Sequence, residues 1–209
     1  MERTCVKKNT IMKHLLTALM AFLCIVTSCT SKAQNNESTD NKNMKSIVIY
    51  FSRSGNNYVS GDIVNLKVGN TKIIAQKIKA ATGCDEFEII PEKAYPEDYT
   101  RCTEVATEEK SSNARPAYKG DIDLSKYDTI YLGYPIWWNS FPMVIATFIE
   151  AHDGFAGKTI MPYSTHEGSG LGSSISDLKR LCPKATIKSG VAIKGSTVQS
   201  ATVDKIINQ

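Results

Sequence analysis

The sequence predicts an α/β fold: a doubly wound, five-stranded parallel sheet of order 2-1-3-4-5 with helices on both faces, formed by residues 45–209. Two observations predict it. Short apolar runs rich in β-branched residues alternate along the chain with segments whose apolar residues recur at helical spacing. The loops that follow the first, third and fourth runs carry the glycines, hydroxyls and tryptophans, and this strand order brings those loops to one edge, beside the switch point where such sheets hold ligands.

The first strand is Ile47-Val48-Ile49-Tyr50-Phe51, an apolar run suited to burial on both faces. Ser52-Arg53-Ser54-Gly55-Asn56-Asn57 follows as a polar loop, and after an interruption from Tyr58 to Val68 the same chemistry resumes as Gly69-Asn70-Thr71. Lys72 to Ile78 then sets apolar residues at helical spacing until Gly83 stops the helix. Asp85 to Ile90 alternates like a half-covered strand that Pro91 ends, and a helix from Glu97 to Lys110 lies in a polar surface excursion that returns through Arg115 to Tyr118 and the Gly120-Asp121 turn. Tyr127 to Tyr134 is the third strand, and Pro142 suits the first turn of a helix over Met143 to Ala151. Lys158 to Ser164 is the fourth strand, with Pro162 implying a local bulge. Ser173 or Ser174 caps a helix over Ile175 to Leu181, Lys184 to Ile193 is an uninterrupted last strand, and Ser200 to Ile207 closes as a short helix.

Strand, hydroxyl-rich turn and helix in that order make an anion site, because the first helical turn leaves N–H groups unpaired where the peptide dipoles place positive charge. Ser52, Ser54 and Thr71 could add hydroxyl donors and Asn56 and Asn70 amide donors, although the same residue types also serve plain turns and helix caps. Both tryptophans lie in the loop Pro135-Ile136-Trp137-Trp138, at the end of a parallel strand where flat aromatic residues can clasp a planar ligand. The loop Thr165-His166-Glu167-Gly168-Ser169-Gly170 has the glycines that let backbone approach a ligand closely. Its spacing lacks the last gap of a dinucleotide fingerprint and the frame of a hydrolase elbow. His166 could touch the ligand or fix the loop.

These three loops resemble those of flavodoxin-like proteins. Ser52-x-Ser54-Gly55-Asn56 and Gly69-Asn70-Thr71 are similar to two halves of the FMN-phosphate loop, with the family's single asparagine position open between Asn56 and Asn70. The Pro135 to Trp138 loop is similar to the second flavin-contacting loop of the Pro-x-Trp-Trp subgroup, and Thr165 to Gly170 is similar to the third. The resemblance covers residues 45–209 and implies FMN as cofactor. The implied contacts are Ser52, Arg53, Ser54, Asn56, Asn70 and Thr71 at the phosphate, and Pro135, Ile136, Trp137, Trp138, Thr165, His166, Gly168, Ser169 and Gly170 at the ring. The insertion, which interrupts the family's loop, is expected separately to fold over the outer side of the site with Tyr58 or Val59 shielding the ligand. No catalytic side chain and no metal ligand is implied.

The N-terminus reads as a lipoprotein signal peptide over residues 1–28. Lys7, Lys8, Lys13 and His14 precede an apolar run from Leu15 to Val26 that is too short to span a bilayer, and Val26-Thr27-Ser28-Cys29 resembles a bacterial lipobox with Cys29 as the lipidated residue. An ordinary cleaved signal, a buried helix, or a cytosolic start at Met44 would be the alternatives. Residues 29–44 have linker composition. Removing residues 1–28 takes away Arg3, Lys7, Lys8, Lys13 and Glu2, so 25 basic and 21 acidic residues become 21 and 20. That balance, with no basic run interleaved with aromatics, excludes a nucleic-acid surface. It also departs from the strong acidity of family flavodoxins. Of six cysteines, Cys84, Cys102 and Cys182 remain in the domain, an odd number without metal spacing that points to buried thiols.

The expected function is an FMN-binding redox protein, lipid-anchored to a membrane in the bacterial cell envelope, that exchanges electrons with a partner protein or a small acceptor. The alternatives are an NAD(P)H:quinone-type flavin reductase, which a secretion signal disfavours because nicotinamide nucleotides are cytosolic, and a flavin-free envelope binding module on the same fold.

Overall fold

A computed structural model describes residues 45–209. The signal segment, Cys29 and the linker lie outside the described residues. In chain order the elements are β1 (Ser46–Tyr50), β2 (Gly55–Val59), β3 (Asp62–Leu66), α1 (Asn70–Thr82), β4 (Asp85–Glu88), β5 (Ile90–Pro91), α2 (Tyr99–Ser111) and β6 (Tyr118–Lys119). They continue with β7 (Thr129–Pro135), α3 (Met143–Ala151), β8 (Thr159–His166), α4 (Ser174–Leu181), β9 (Thr186–Ile187), β10 (Val191–Lys194) and α5 (Asp204–Ile207). The main sheet runs β4-β1-β7-β8-β10 with every pairing parallel, and β9 also pairs with β8. This is the order expected from the sequence.

The period of two along β1 divides one strand between two cores. Ile47 and Ile49 point to one face, where they join Ile130, Leu132, Phe148, Ile149 and Leu178 under α3 and α4. Val48 and Tyr50 point to the other, against Ile74, Ala75 and Ile78 of α1 and Ile206 of α5. Each fully buried isoleucine of this kind contributes about 1.5–3 kcal/mol, so the continuous apolar run fixes β1 at the centre. Gly83 ends α1 in the left-handed conformation at φ 68°, its N–H donating to Lys79 O. Asp98 accepts the Arg101 N–H at 2.9 Å and starts α2 there, rather than at Glu97. Pro142 occupies the cap position immediately before α3, one residue earlier than the first turn.

Four further expectations are corrected. The interruption from Tyr58 to Val68 is the larger part of a hairpin that begins at Gly55, so Asn56 and Asn57 belong to a strand; Ser60 and Gly61 turn it with φ of 53° and 110°, as a two-residue hairpin requires. The last strand is broken between β9 and β10, where Gly190 takes φ 82°. Pro162 is the reason, and it makes no bulge in β8, which pairs with β7 without interruption. Lacking an N–H, Pro162 cannot extend the ladder beyond the bond from Lys188 N–H to Ile160 O. The side chain of Gln209 spans the gap instead, its amide Nε2 donating to Pro162 O at 3.3 Å and its Oε1 accepting the Gly190 N–H at 2.7 Å. Finally, Ser173 stands at the cap of α4 but donates its hydroxyl to Asn139 O and Asp177 Oδ2, each at 2.9 Å, and does not accept from the helix. Cys84, Cys102 and Cys182 are buried free thiols, as expected.

Tyr163 is fully buried against Gly133, its neighbour in register on β7, and its hydroxyl has no hydrogen-bond partner among the described residues. An unsatisfied buried hydroxyl costs about 1–3 kcal/mol. Tyr163→Phe is therefore expected to raise the unfolding free energy by roughly 1 kcal/mol, measured by urea denaturation; a loss of stability would mean that the hydroxyl has a partner in solution.

Candidate functional site

The loop after β1, the start of α1 and the loops after β7 and β8 surround a cavity of about 140 Å³ at the carboxyl edge of the sheet. Gly69, at the cap position of α1, has no side chain to offer, and Ser52 takes over: its Oγ accepts the Lys72 N–H at 3.1 Å. The N–H groups of Asn70 and Thr71 have no partner among the described residues, as the first turn of a helix leaves them. Beside them the Thr71 and Thr165 hydroxyls lie 2.8 Å apart, both residues buried. Two hydroxyls bring two protons and this bond uses one, so the other is left for an acceptor. Backbone donors, a hydroxyl proton and the positive end of a helix dipole thus lie side by side, an arrangement chemically suited to a phosphate-like anion.

The opposite wall is Pro135, Ile136 and Trp137. The Ile136 N–H donates to Thr165 O at 2.9 Å and ties this loop to the next. Trp137 stands edge-on to Phe51 and Tyr95, with ring centres 5.5 and 4.9 Å away, which fixes it as a flat apolar wall. His166 lines the cavity and accepts the Gly168 N–H on Nδ1 at 2.9 Å, so its neutral form carries the proton on Nε2. Burial holds the imidazole below its ordinary 6.5, Lys194 acts the same way, and Glu167 opposes them. A depressed histidine favours folding fully above the unfolded value, and that contribution is lost as pH falls through the folded one. The His166 ring protons should titrate with a midpoint below 6.5 by NMR, and the Gly168 amide should lose protection as they do.

The hairpin of β2 and β3 lies over this cavity, and Tyr58 and Leu66 line it, whereas Val59 does not. Its base is held by the Arg53 guanidinium, which donates to Asn56 O, to Pro96 O at 2.6 Å and to Glu97 O at 2.7 Å. Its tip is held by the Ser60 N–H, which donates to Glu167 Oε2 at 3.1 Å.

Of the residues expected from the sequence, the cavity brings together Arg53, Asn70, Thr71, Pro135, Ile136, Trp137, Thr165 and His166, with Ser52 supporting them through the cap. It does not include Ser54, which is exposed beside a separate cleft with Tyr95 and Pro96, or Asn56, whose Oδ1 accepts from Asn65 in the hairpin. Between the two candidate asparagines, Asn70 is the one in the cavity. Gly168, Ser169 and Gly170 turn the loop outside it, and Trp138 lines a neighbouring slot. Sequence reasoning missed Asn57, Leu66, Tyr99 and Glu167. Glu167 adjoins His166 in a glycine-rich loop, a position that could have singled it out. A cleft of about 810 Å³ between α2 and the segments around Lys93 and Arg115 is larger but includes none of the three loops. Among the described residues no cluster of histidine, cysteine or carboxylate groups could hold a metal.

The family model described as Flavodoxin matches residues 45–209. No curated protein matches the chain. Among solved structures, the chain is 31% identical to a presumed flavoprotein of Bacteroides uniformis ATCC 8492, covering 79% of this chain and 99% of that one with a TM-score of 0.62. It is also 31% identical to a presumed flavoprotein of Bacteroides eggerthii DSM 20697, covering 78% and 98% with a TM-score of 0.60. A flavoprotein of Lactobacillus acidophilus NCFM in complex with FMN shares the fold at 21% identity, covering 75% and 97% with a TM-score of 0.58. With an anion site at the head of α1, a flat wall after β7 and a family match over the whole described domain, the chain belongs to the flavodoxin family.

Proposed function

We propose that this domain binds FMN and exchanges electrons through it, at the surface of a bacterial envelope membrane to which Cys29 anchors it by lipid. The observation that carries the flavin reading is the Thr71–Thr165 hydroxyl pair, with its unassigned proton, next to the free N–H groups of α1 and opposite the Trp137 wall. These residues fit FMN: a dianionic phosphate needs donors at one end and its ring needs flat apolar contact at the other. Bound FMN supplies the redox chemistry. Asn70 and Thr71 hold the phosphate; Ile136, Trp137 and His166 border the ring and exclude water; the hairpin covers them. The volume of about 140 Å³ falls short of the 300–1,000 Å³ usual for such ligands, so entry needs the hairpin to lift and the Ser60–Glu167 bond to open.

The test is titration of the protein with FMN and with riboflavin, read by quenching of flavin fluorescence. One charge-assisted hydrogen bond is worth about 1.5–3 kcal/mol, so FMN should bind at least about tenfold tighter than riboflavin. Equal affinities would place the flavin, if any, away from α1. The anchor is tested separately: Cys29→Ala should leave the protein out of the detergent phase, because stable attachment takes more than one acyl chain.

A further inference from the structure

We propose that Trp137, Tyr95 and Glu109 form a relay that carries a one-electron oxidising equivalent from the wall of the flavin site to the surface cleft beside α2, with Glu109 taking the phenol proton. Trp137 lines the cofactor cavity, and the Tyr95 ring stands edge-on to it at 85° with centres 4.9 Å apart. The Tyr95 hydroxyl donates to Glu109 Oε2 of α2 at 2.7 Å. Both residues line the cleft of about 810 Å³, which shares no residue with the cofactor cavity. Tyr95 therefore bridges the two.

The bond to Glu109 is what separates a relay from packing. Edge-on aromatic contacts fill ordinary cores, but a phenol that loses an electron becomes a strong acid, so tyrosine passes charge readily only with a base at its hydroxyl. A base must lie within about 2.6–3.2 Å of the group whose proton it takes, and Glu109 does. Burial raises the Glu109 carboxyl above the usual range, against the Tyr95 hydrogen bond and Lys93, which strengthens it as a proton acceptor. Burial, with Glu109 beside it, also holds the Tyr95 phenol well above its ordinary value, so it starts protonated. The rivals lack such a base. Tyr58 and Tyr99 line the flavin cavity itself, yet their hydroxyls have no hydrogen-bond partner among the described residues. Phe51, 5.5 Å from Trp137 and 5.6 Å from Tyr95, has no proton to give up.

The relay rests on the FMN reading for its oxidant, which is photoexcited flavin. Trp137 gives one electron to the excited ring. Tyr95 then gives one electron to the Trp137 radical cation and its hydroxyl proton to Glu109 Oε2. The indole is restored, Tyr95 is left as a neutral radical and Glu109 as a neutral acid, and the flavin holds the one added electron. The radical now stands on the cleft, where a small soluble thiol can return a hydrogen atom to the phenol oxygen while Glu109 releases its proton to water. An oxidising equivalent made at the flavin wall is thus discharged at the surface.

The test begins without flavin. The chain has two tryptophans, so Trp138→Phe leaves Trp137 as the single indole. Azide radicals made by pulse radiolysis oxidise it, and the absorption of the indolyl radical is expected to give way to that of a tyrosyl radical at a rate independent of protein concentration. Adding Tyr95→Phe, which keeps the ring, should slow this transfer at least about tenfold. Glu109→Gln, which still accepts the hydroxyl but is not a base, should slow it by a similar factor. Tyr99→Phe should not slow it. Transfer that survives Tyr95→Phe, or that Tyr99→Phe abolishes, overturns the proposal, and full speed in Glu109→Gln overturns the proton's part in it. With FMN added, illumination should give a tyrosyl radical by electron paramagnetic resonance in the parent and none in Tyr95→Phe. Transfer in the flavin-free protein together with no FMN binding would overturn the flavin reading and leave the Trp137–Tyr95–Glu109 relay standing.

Discussion

Gly133→Ala is expected to destabilise the domain by about 3 kcal/mol, the upper part of the range for overpacked cores. Gly133 has ordinary strand geometry, so conformational freedom is not its purpose. A Cβ there would overlap the phenol of Tyr163, which lies directly across β7 and β8 and is itself fully buried between the sheet and α1. Close packing leaves Tyr163 nowhere to go, because Tyr50 and Ile74 share the same core. Thermal unfolding should shift down by roughly 6–12 °C at this chain length. The partner substitution gives the sharper result: combining Gly133→Ala with Tyr163→Leu removes the overlapping ring, so the double variant should recover a coupling of about 1–3 kcal/mol relative to the sum of the single effects. Additive effects would show that the glycine is required for something other than Tyr163.

The same pair shows what the sequence made legible. Apolar runs such as Ile47 to Phe51 and Thr129 to Tyr134 announce central strands because both faces are buried, and the helix over Met143 to Ala151 was marked by residues whose spacing matches one buried face. Parallel order then followed from alternation. The hairpin was not legible, because Gly55, Asn56 and Asn57 are loop-type residues and neither strand has a fully buried residue, β2 being mostly half-buried and β3 mostly exposed. What fixes it is distant in the chain: carbonyls of Pro96 and Glu97 on Arg53, and Glu167 on Ser60. The break before β10 was hidden for a similar reason, since the proline that causes it lies in β8 and its effect appears on the neighbour. At the site, Thr71 and Thr165 could be chosen individually from their loops. That their hydroxyls meet could not, because it depends on register between elements 94 residues apart.

Gly69→Ala is expected to weaken FMN by about 10- to 150-fold while the domain remains folded. The backbone at Gly69, φ −67° and ψ 147°, is one that alanine adopts freely, so strain in the left-handed region plays no part. The difficulty is the methyl group. It would overlap Ser52 Oγ and the carbonyl of Arg53, the two points where the loop after β1 touches the head of α1. Ser52 Oγ holds the Lys72 N–H, and Arg53 O accepts from the Asn57 side chain at 3.3 Å, so neither can shift alone. The loop has to move off the helix as a unit. Losing the cap costs about 1 kcal/mol of stability, which two intact hydrophobic cores can absorb. The anion site fares worse, since a dislocated loop no longer aligns the Asn70 and Thr71 donors with the Thr165 hydroxyl. Riboflavin separates the causes. If the damage is confined to the phosphate, riboflavin affinity should change far less than FMN affinity in Gly69→Ala. A parallel loss of both flavins would mean the whole cleft had distorted, and an unaltered FMN Kd would remove the phosphate from the head of α1.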